Sequence, residues 1–210
     1  MKRQIDTRVR RRWFIAGGAL AALALTAGVL AATGAFTPGP KDMNGNPVIY
    51  EADAVPDPAA SAVPDGNGRF VASTVGLDVP VGSLDAVDGV VTPPGFTSAY
   101  LIRNYGVTPK EAGLGTVYVV MHSLRNGGNG PGNALIDVEQ EKARLVAGDT
   151  IDVDDVTYRV TGSQHLSKEQ LPTSEIWAGT PNTLVVITCL QRPDGAPSTD
   201  NLIITAEREQ

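Results

Sequence analysis

The chain has 210 residues, of which 42% are hydrophobic in type and 5% aromatic, with a formal net charge of −6. Its length suits one core-bearing domain plus accessory segments, and so acidic a balance excludes the clustered Lys/Arg that phosphate neutralisation requires, so nucleic acid is not a partner. A single cysteine excludes an internal disulfide and dithiol exchange, two histidines provide no zinc-ligand spacing, and nothing calls for a metal or cofactor.

Charge is distributed unevenly. Lys2, Arg3, Arg8, Arg10, Arg11 and Arg12 precede an uncharged run from Trp13 to Phe36, made mostly of Ala, Leu, Gly and Val. About 20 apolar residues span a bilayer core, and a basic flank stays on the cytoplasmic side. The run exceeds the ~7–15-residue apolar region of a cleaved signal peptide. Residues 1–12 therefore read as a cytoplasmic basic segment and 13–36 as a single transmembrane anchor, with the remainder outside. Cleavage near Ala31-Ala32-Thr33-Gly34-Ala35 is the alternative. The chain after the basic segment holds 11 Lys/Arg against 22 Asp/Glu.

Residues 37–68 are rich in Pro, Gly, Ala and Asp, with few large apolar residues to offset the entropy of ordering, and read as a tether. Val48-Ile49-Tyr50 is its one apolar patch.

From Arg69 the texture changes. Short apolar runs recur between turn residues: Phe70–Val75, Leu77–Val81, Val87–Val91, Thr97–Ile102, Val117–Met121, Asp149–Val153, Thr157–Val160, Leu184–Cys189 and Leu202–Ala206. This pattern predicts an all-β domain over 69–210, closed into a barrel. Short helical turns are expected at Pro109–Ala112 and at Ser167–Leu171, ahead of Pro172. Leu135–Leu145 fits a broken helix or an extended segment equally well. The acidic cluster Asp149, Asp152, Asp154 and Asp155 lacks the spacing of an EF-hand loop and reads as a solvated turn between strands, with a weak cation site as the alternative.

Two strands carry the chemistry. Thr183–Cys189 is a β-branched run that delivers the only cysteine to its end, and Thr116–Met121 delivers His122 in the same way. A cysteine and a histidine at strand ends are candidates for nucleophile and acid/base, although a lone cysteine is often just a small hydrophobe. The glycine-rich loop Arg125–Asn133 follows the histidine and suits the rim of a site. Gly179 and Pro181 turn the chain into the cysteine strand; Trp177 and Tyr100 read as packing residues.

In this order the pieces resemble the sortases, membrane-anchored cysteine transpeptidases of Gram-positive bacteria, and within them the actinobacterial class F branch. The resemblance rests on the basic N-terminus with its span, the strand ending in His122, and Leu184-Val185-Val186-Ile187-Thr188-Cys189 followed by Asp200-Asn201-Leu202-Ile203-Ile204-Thr205-Ala206. Gly76-Leu77-Asp78-Val79-Pro80-Val81 and Leu166-Ser167-Lys168-Glu169-Gln170-Leu171-Pro172 add to it. It implies an eight-stranded barrel with Cys189 and His122 side by side at a groove, flanked by Thr188, Ser123 and Thr199. It further implies that Cys189 forms a thioacyl-enzyme with a Leu-Pro-containing C-terminal sorting signal of a secreted protein. The partner amine would come from a peptidoglycan stem peptide or a lysine.

One departure bears on activity. The resemblance expects an arginine immediately before Asp200-Asn201, where this chain has Thr199. Arg192, three residues after the cysteine, is the nearest substitute; without one, the domain is a weakly active or inactive peptide- or wall-binding module. An L,D-transpeptidase also pairs Cys with His, but in one short stretch, whereas here they are 67 positions apart.

Overall fold

The computed structural model describes residues 39–49 and 55–210. The transmembrane anchor expected at 13–36 lies outside the described residues; among the described residues no helix is long and apolar enough to cross a membrane.

Among the described residues ten strands form: β1 (Val63–Ala72), β2 (Leu77–Leu84), β3 (Ala99–Ile102), β4 (Thr116–Val120), β5 (Ile136–Asp137), β6 (Lys142–Ala143), β7 (Thr150–Val153), β8 (Val156–Ser167), β9 (Thr183–Cys189) and β10 (Asp200–Arg208). Eight of them close into a barrel in the order β1-β2-β3-β4-β9-β10-β8-β7, with β5 and β6 as a separate two-stranded hairpin. Closure removes the exposed edges an open sheet would present. Two neighbouring pairs are parallel, β2 with β3 and β4 with β9; the other barrel pairs are antiparallel.

The apolar runs are continuous because both faces of the central strands are covered. Along β9, Leu184 and Val186 join the larger core with Val117, Val119, Leu202 and Ile204, while Val185 and Ile187 join a second cluster with Tyr118, Val120 and Ile203. Period-two alternation thus sends successive side chains into two different cores. Trp177 belongs to the second layer: its ring packs 4.7 Å from Tyr105 and 5.0 Å from Tyr118, and its Nε1 donates to the Leu171 carbonyl at 2.7 Å.

Several local expectations change. Val87–Val91 is not a strand but a tight turn closed by a Val87–Val90 bridge, with Asp88 and Gly89 at φ 50° and 79°. The barrel starts at Val63, inside the expected tether. Pro64-Asp65-Gly66-Asn67-Gly68 reads as turn sequence, yet pairs irregularly with β2 and is held by a bond from Ser98 Oγ to Asp65. Leu135–Leu145 is the β5–β6 hairpin, resolving the alternative in favour of extended structure. Pro109–Leu114 is a 3-10 turn. Asp154, at φ 54°, and Asp155 make the turn between β7 and β8.

Candidate functional site

The register of β4 against β9 sets the site. Tyr118 pairs with Val185 and Val120 with Ile187, an offset of 67 positions. Continued two residues, that register sets His122 abreast of Cys189, and alternation gives both the face shared by Val120 and Ile187. The 67-residue spacing in the sequence is therefore the barrel's own register. Both side chains line one groove of ≈ 670 Å³.

The strand-to-strand ladder ends at the site, and side chains continue it. Met121 N still donates to the Ile187 carbonyl at 3.1 Å. Beyond it, Ser123 Oγ donates to the Cys189 carbonyl, and the buried Gln191 amide donates to Ser123 Oγ at 2.8 Å and to the Ser123 carbonyl at 3.1 Å. This clip ties the residue after the histidine to the residue pair around the cysteine. Gln191 Oε1 has no hydrogen-bond partner among the described residues.

The loop after His122 is fixed from below. A four-residue helix, α1 (Pro131–Ala134), returns toward it, and Gly132 N donates to the His122 carbonyl at 2.8 Å. Asn133 holds Leu124 from both sides, donating to its carbonyl and accepting from its N–H, each at 2.7 Å. A Cβ at Gly132 would stand 2.0 Å from Thr188 Oγ1 and 3.0 Å from the His122 carbonyl, so glycine is required for this approach.

The imidazole is held by the loop before β3. Its Nε2 is 3.0 Å from the Pro93 carbonyl, and the Phe96 ring packs 4.6 Å away. A carbonyl only accepts, so Nε2 carries the proton and Nδ1 the lone pair. Burial lowers the His122 pKa from the ordinary imidazole value, and the Pro93 bond only partly opposes it. The ring is therefore mostly neutral at neutral pH.

The other residues singled out in the sequence fall in different places. Ser123 lines the groove. Thr188 is buried beneath it against Gly132, its hydroxyl without a partner among the described residues. Thr199 is exposed and donates to the Asp200 carboxylate, while its neighbours Pro197 and Ser198 line the groove. Arg192 lines an adjoining depression of ≈ 450 Å³ and is bridged to Asp194 at 2.7 Å. The cationic side chains that line the groove itself are Arg125 and Lys168.

The segment 39–49 forms one wall. Asp42 is buried and accepts from the backbone N–H of Asn44, Asn46 and Asn129, and Met43 N donates to the Asn129 carbonyl. Burial alone would raise the Asp42 pKa; the bonds from Asn46, Asn129 and Asn44 outweigh it and hold the carboxyl below its ordinary value. Val48 and Ile49, the apolar patch of the expected tether, reach the groove that holds Cys189. Sequence reasoning missed Asp42, Phe96, Lys168 and Gln191; Asp42-Met43-Asn44-Gly45-Asn46 has the look of an ordinary Asx turn, and the others acquire meaning only through the register.

The sequence matches no protein-family model and no curated protein. Solved structures match in fold. Sortase A of Listeria monocytogenes superposes with a TM-score of 0.50 at 18% identity, covering 68% of this chain and 86% of its own. Sortase C-1 of Actinomyces oris gives 0.50 at 14%, covering 70% and 75%, and a mutant sortase C-1 of S. pneumoniae gives 0.50 at 13%, covering 77% of each. At such identities the likeness concerns architecture: the domain has the closed eight-stranded barrel of the sortase fold.

Proposed function

We propose that the chain is a cysteine transpeptidase that cleaves a Leu-Pro-containing sorting signal and transfers the acyl part to a cell-wall amine. The observation that carries this reading is the shared groove: the only cysteine and His122 line it together, at the ends of adjacent parallel strands. The sortase fold supports it, and so does the sequence order of its motifs, which resembles the class F branch. The groove walls suit an extended apolar peptide, with Pro47, Val48, Ile49, Phe96, Leu124 and Pro197 beside the thiol. An anchor over 13–36, with the domain outside the membrane, completes the proposal.

In this mechanism the Cys189 thiolate attacks the scissile carbonyl, forming a C–S bond and moving the carbonyl electron pair onto oxygen. The oxyanion re-forms the carbonyl as the C–N bond breaks, and His122, holding the proton it took from the Cys189 thiol, gives that proton to the leaving amine. An incoming amine attacks the thioester, His122 removes its proton, and the C–S bond breaks to return the thiolate. A thiol with an ordinary pKa near 8.5 is only a few per cent ionised at neutral pH, so a neighbouring imidazole has a role in activation as well as in transfer. The oxyanion needs donors, and losing one typically costs about 10²–10³ in rate. Arg192 is the candidate in sequence, at present bridged to Asp194.

The test is turnover by the full-length chain with a panel of Leu-Pro-containing peptides and an amine acceptor. The reading predicts an amine-dependent product that Cys189→Ala and His122→Ala both abolish. Peptide binding with no product and no acylated cysteine across the panel would instead favour a binding module in which Thr199 has disabled the chemistry.

A further inference from the structure

The oxyanion of the proposed reaction needs a donor near the thiol, and at the position where the resemblance implies an arginine this chain has Thr199. Pairing of β8 with β10 runs from Arg208–Tyr158 to Asp200–Ser167, and one step further Lys168 N donates to the Thr199 carbonyl at 3.0 Å. Lys168 is thus the cross-strand neighbour of Thr199. The same alternation places both on the face of Leu166 and Asn201, and Asn201 pairs directly with Cys189. Lys168 lines the groove with Cys189, His122 and Ser198, is exposed, and has no ion pair among the described residues. Arg192 has the opposite properties: it faces the adjoining depression and is engaged by Asp194.

We propose that Lys168 is the cationic catalytic residue of the groove, replacing across the sheet the charge that Thr199 lacks and donating a hydrogen bond to the oxyanion formed when Cys189 attacks a peptide carbonyl. Its role is to stabilise charge, and it transfers no proton. A flexible four-carbon stem lets a strand-edge lysine lean over the groove, where a compact, strongly hydrated charge serves a single oxygen. The proposal rests on the transpeptidase reading for its chemistry but not for its geometry, so the two can be tested apart.

The experiment compares alkylation of Cys189 in the full-length chain by iodoacetate and by iodoacetamide, reagents that differ in charge. A cation near the thiol speeds the anionic reagent selectively. Lys168→Met should lower the iodoacetate-to-iodoacetamide rate ratio by about fivefold, the effect of roughly one unit charge near contact in a watery site. Lys168→Arg should preserve the ratio, and Thr199→Arg in the Lys168→Met background should restore it. With peptide substrate, Lys168→Met should lower kcat by about 10²-fold with little change in KM. An unchanged ratio in Lys168→Met, or a fall only in Arg125→Met or Arg192→Met, overturns the proposal. If the wild type turns over no peptide while the Lys168-dependent ratio persists, the catalytic role falls with the transpeptidase reading and only the placement of the charge survives.

Discussion

At the scale of single residues, the pairing of Cys189 with His122 depends on a few side chains that no reactive-residue search would select. Gln191 and Ser123 cross the gap where the β4–β9 ladder ends. Gln191→Leu removes both donated bonds and strands the Ser123 carbonyl, and leaving a buried polar group unpaired costs about 1–3 kcal/mol. Thermal denaturation should register that loss, and transpeptidation should fall further than the stability change alone explains, because the two reacting groups lose their mutual alignment. An unaltered rate in a destabilised Gln191→Leu would show the clip to be structural only. His122 yields a second prediction. Burial penalises its imidazolium, so NMR of the Cys189→Ala protein should find the ring titrating below the ordinary value of about 6.5. A base whose pKa is depressed by folding binds its proton more readily unfolded; the stability it leaves intact above about pH 6.5 is eroded as pH falls through that value. A His122 titrating above the ordinary value would contradict the burial argument.

At the scale of elements, the two segments that wall the groove are held by different devices. The turn of α1 approaches β9 so closely that only glycine fits: Gly132→Ala must displace Thr188 or the His122 carbonyl, and overpacking of this kind costs about 1–3 kcal/mol. Because it pushes on the segments that carry His122 and Cys189, it should also lower turnover in the proposed reaction; full activity in a Gly132→Ala protein would mean that the loop adapts freely. Segment 39–49 is instead docked on Asn129, which donates to Asp42 and to Asn44 Oδ1 and accepts from Met43 N, while Asp42 also folds the segment through Asn44 and Asn46. Asp42 has its pKa lowered in the folded state, so its contribution is present above the unfolded carboxylate value and is lost as pH falls through the folded one. Limited proteolysis should therefore cut within 39–49 faster at acid pH than at neutrality, and equally fast at both in Asp42→Ala. Protection independent of Asp42 would contradict this anchoring.

At the scale of the whole molecule, the barrel explains what the amino-acid order discloses and what it withholds. Cys189 and His122 could be read directly, because each closes a run of β-branched residues whose burial is obvious from composition. The closed all-β architecture was legible for the same reason. The partners of those two residues were not. That Lys168 neighbours Thr199, or that Phe96 and the Pro93 carbonyl hold the imidazole, follows from strand register and loop return, which are set by packing across the barrel. Polar stretches misled in the other direction: Val63–Gly68 carries turn residues yet pairs with β2, and 39–49 lacks apolar mass yet docks through Asp42. Val87–Val91 failed as a strand because Asp88 and Gly89 adopt positive φ and close a turn.

The central claim is that Cys189 becomes acylated by a peptide and passes the acyl group to an amine. Intact-mass measurement of the full-length chain, incubated with a Leu-Pro-containing peptide but no amine, tests it most directly. The account predicts an adduct on Cys189 equal to the acyl fragment, absent in Cys189→Ala and discharged when an amine or hydroxylamine is added. A folded protein whose Cys189 alkylates readily yet never acquires that adduct, across the peptide panel, would contradict it.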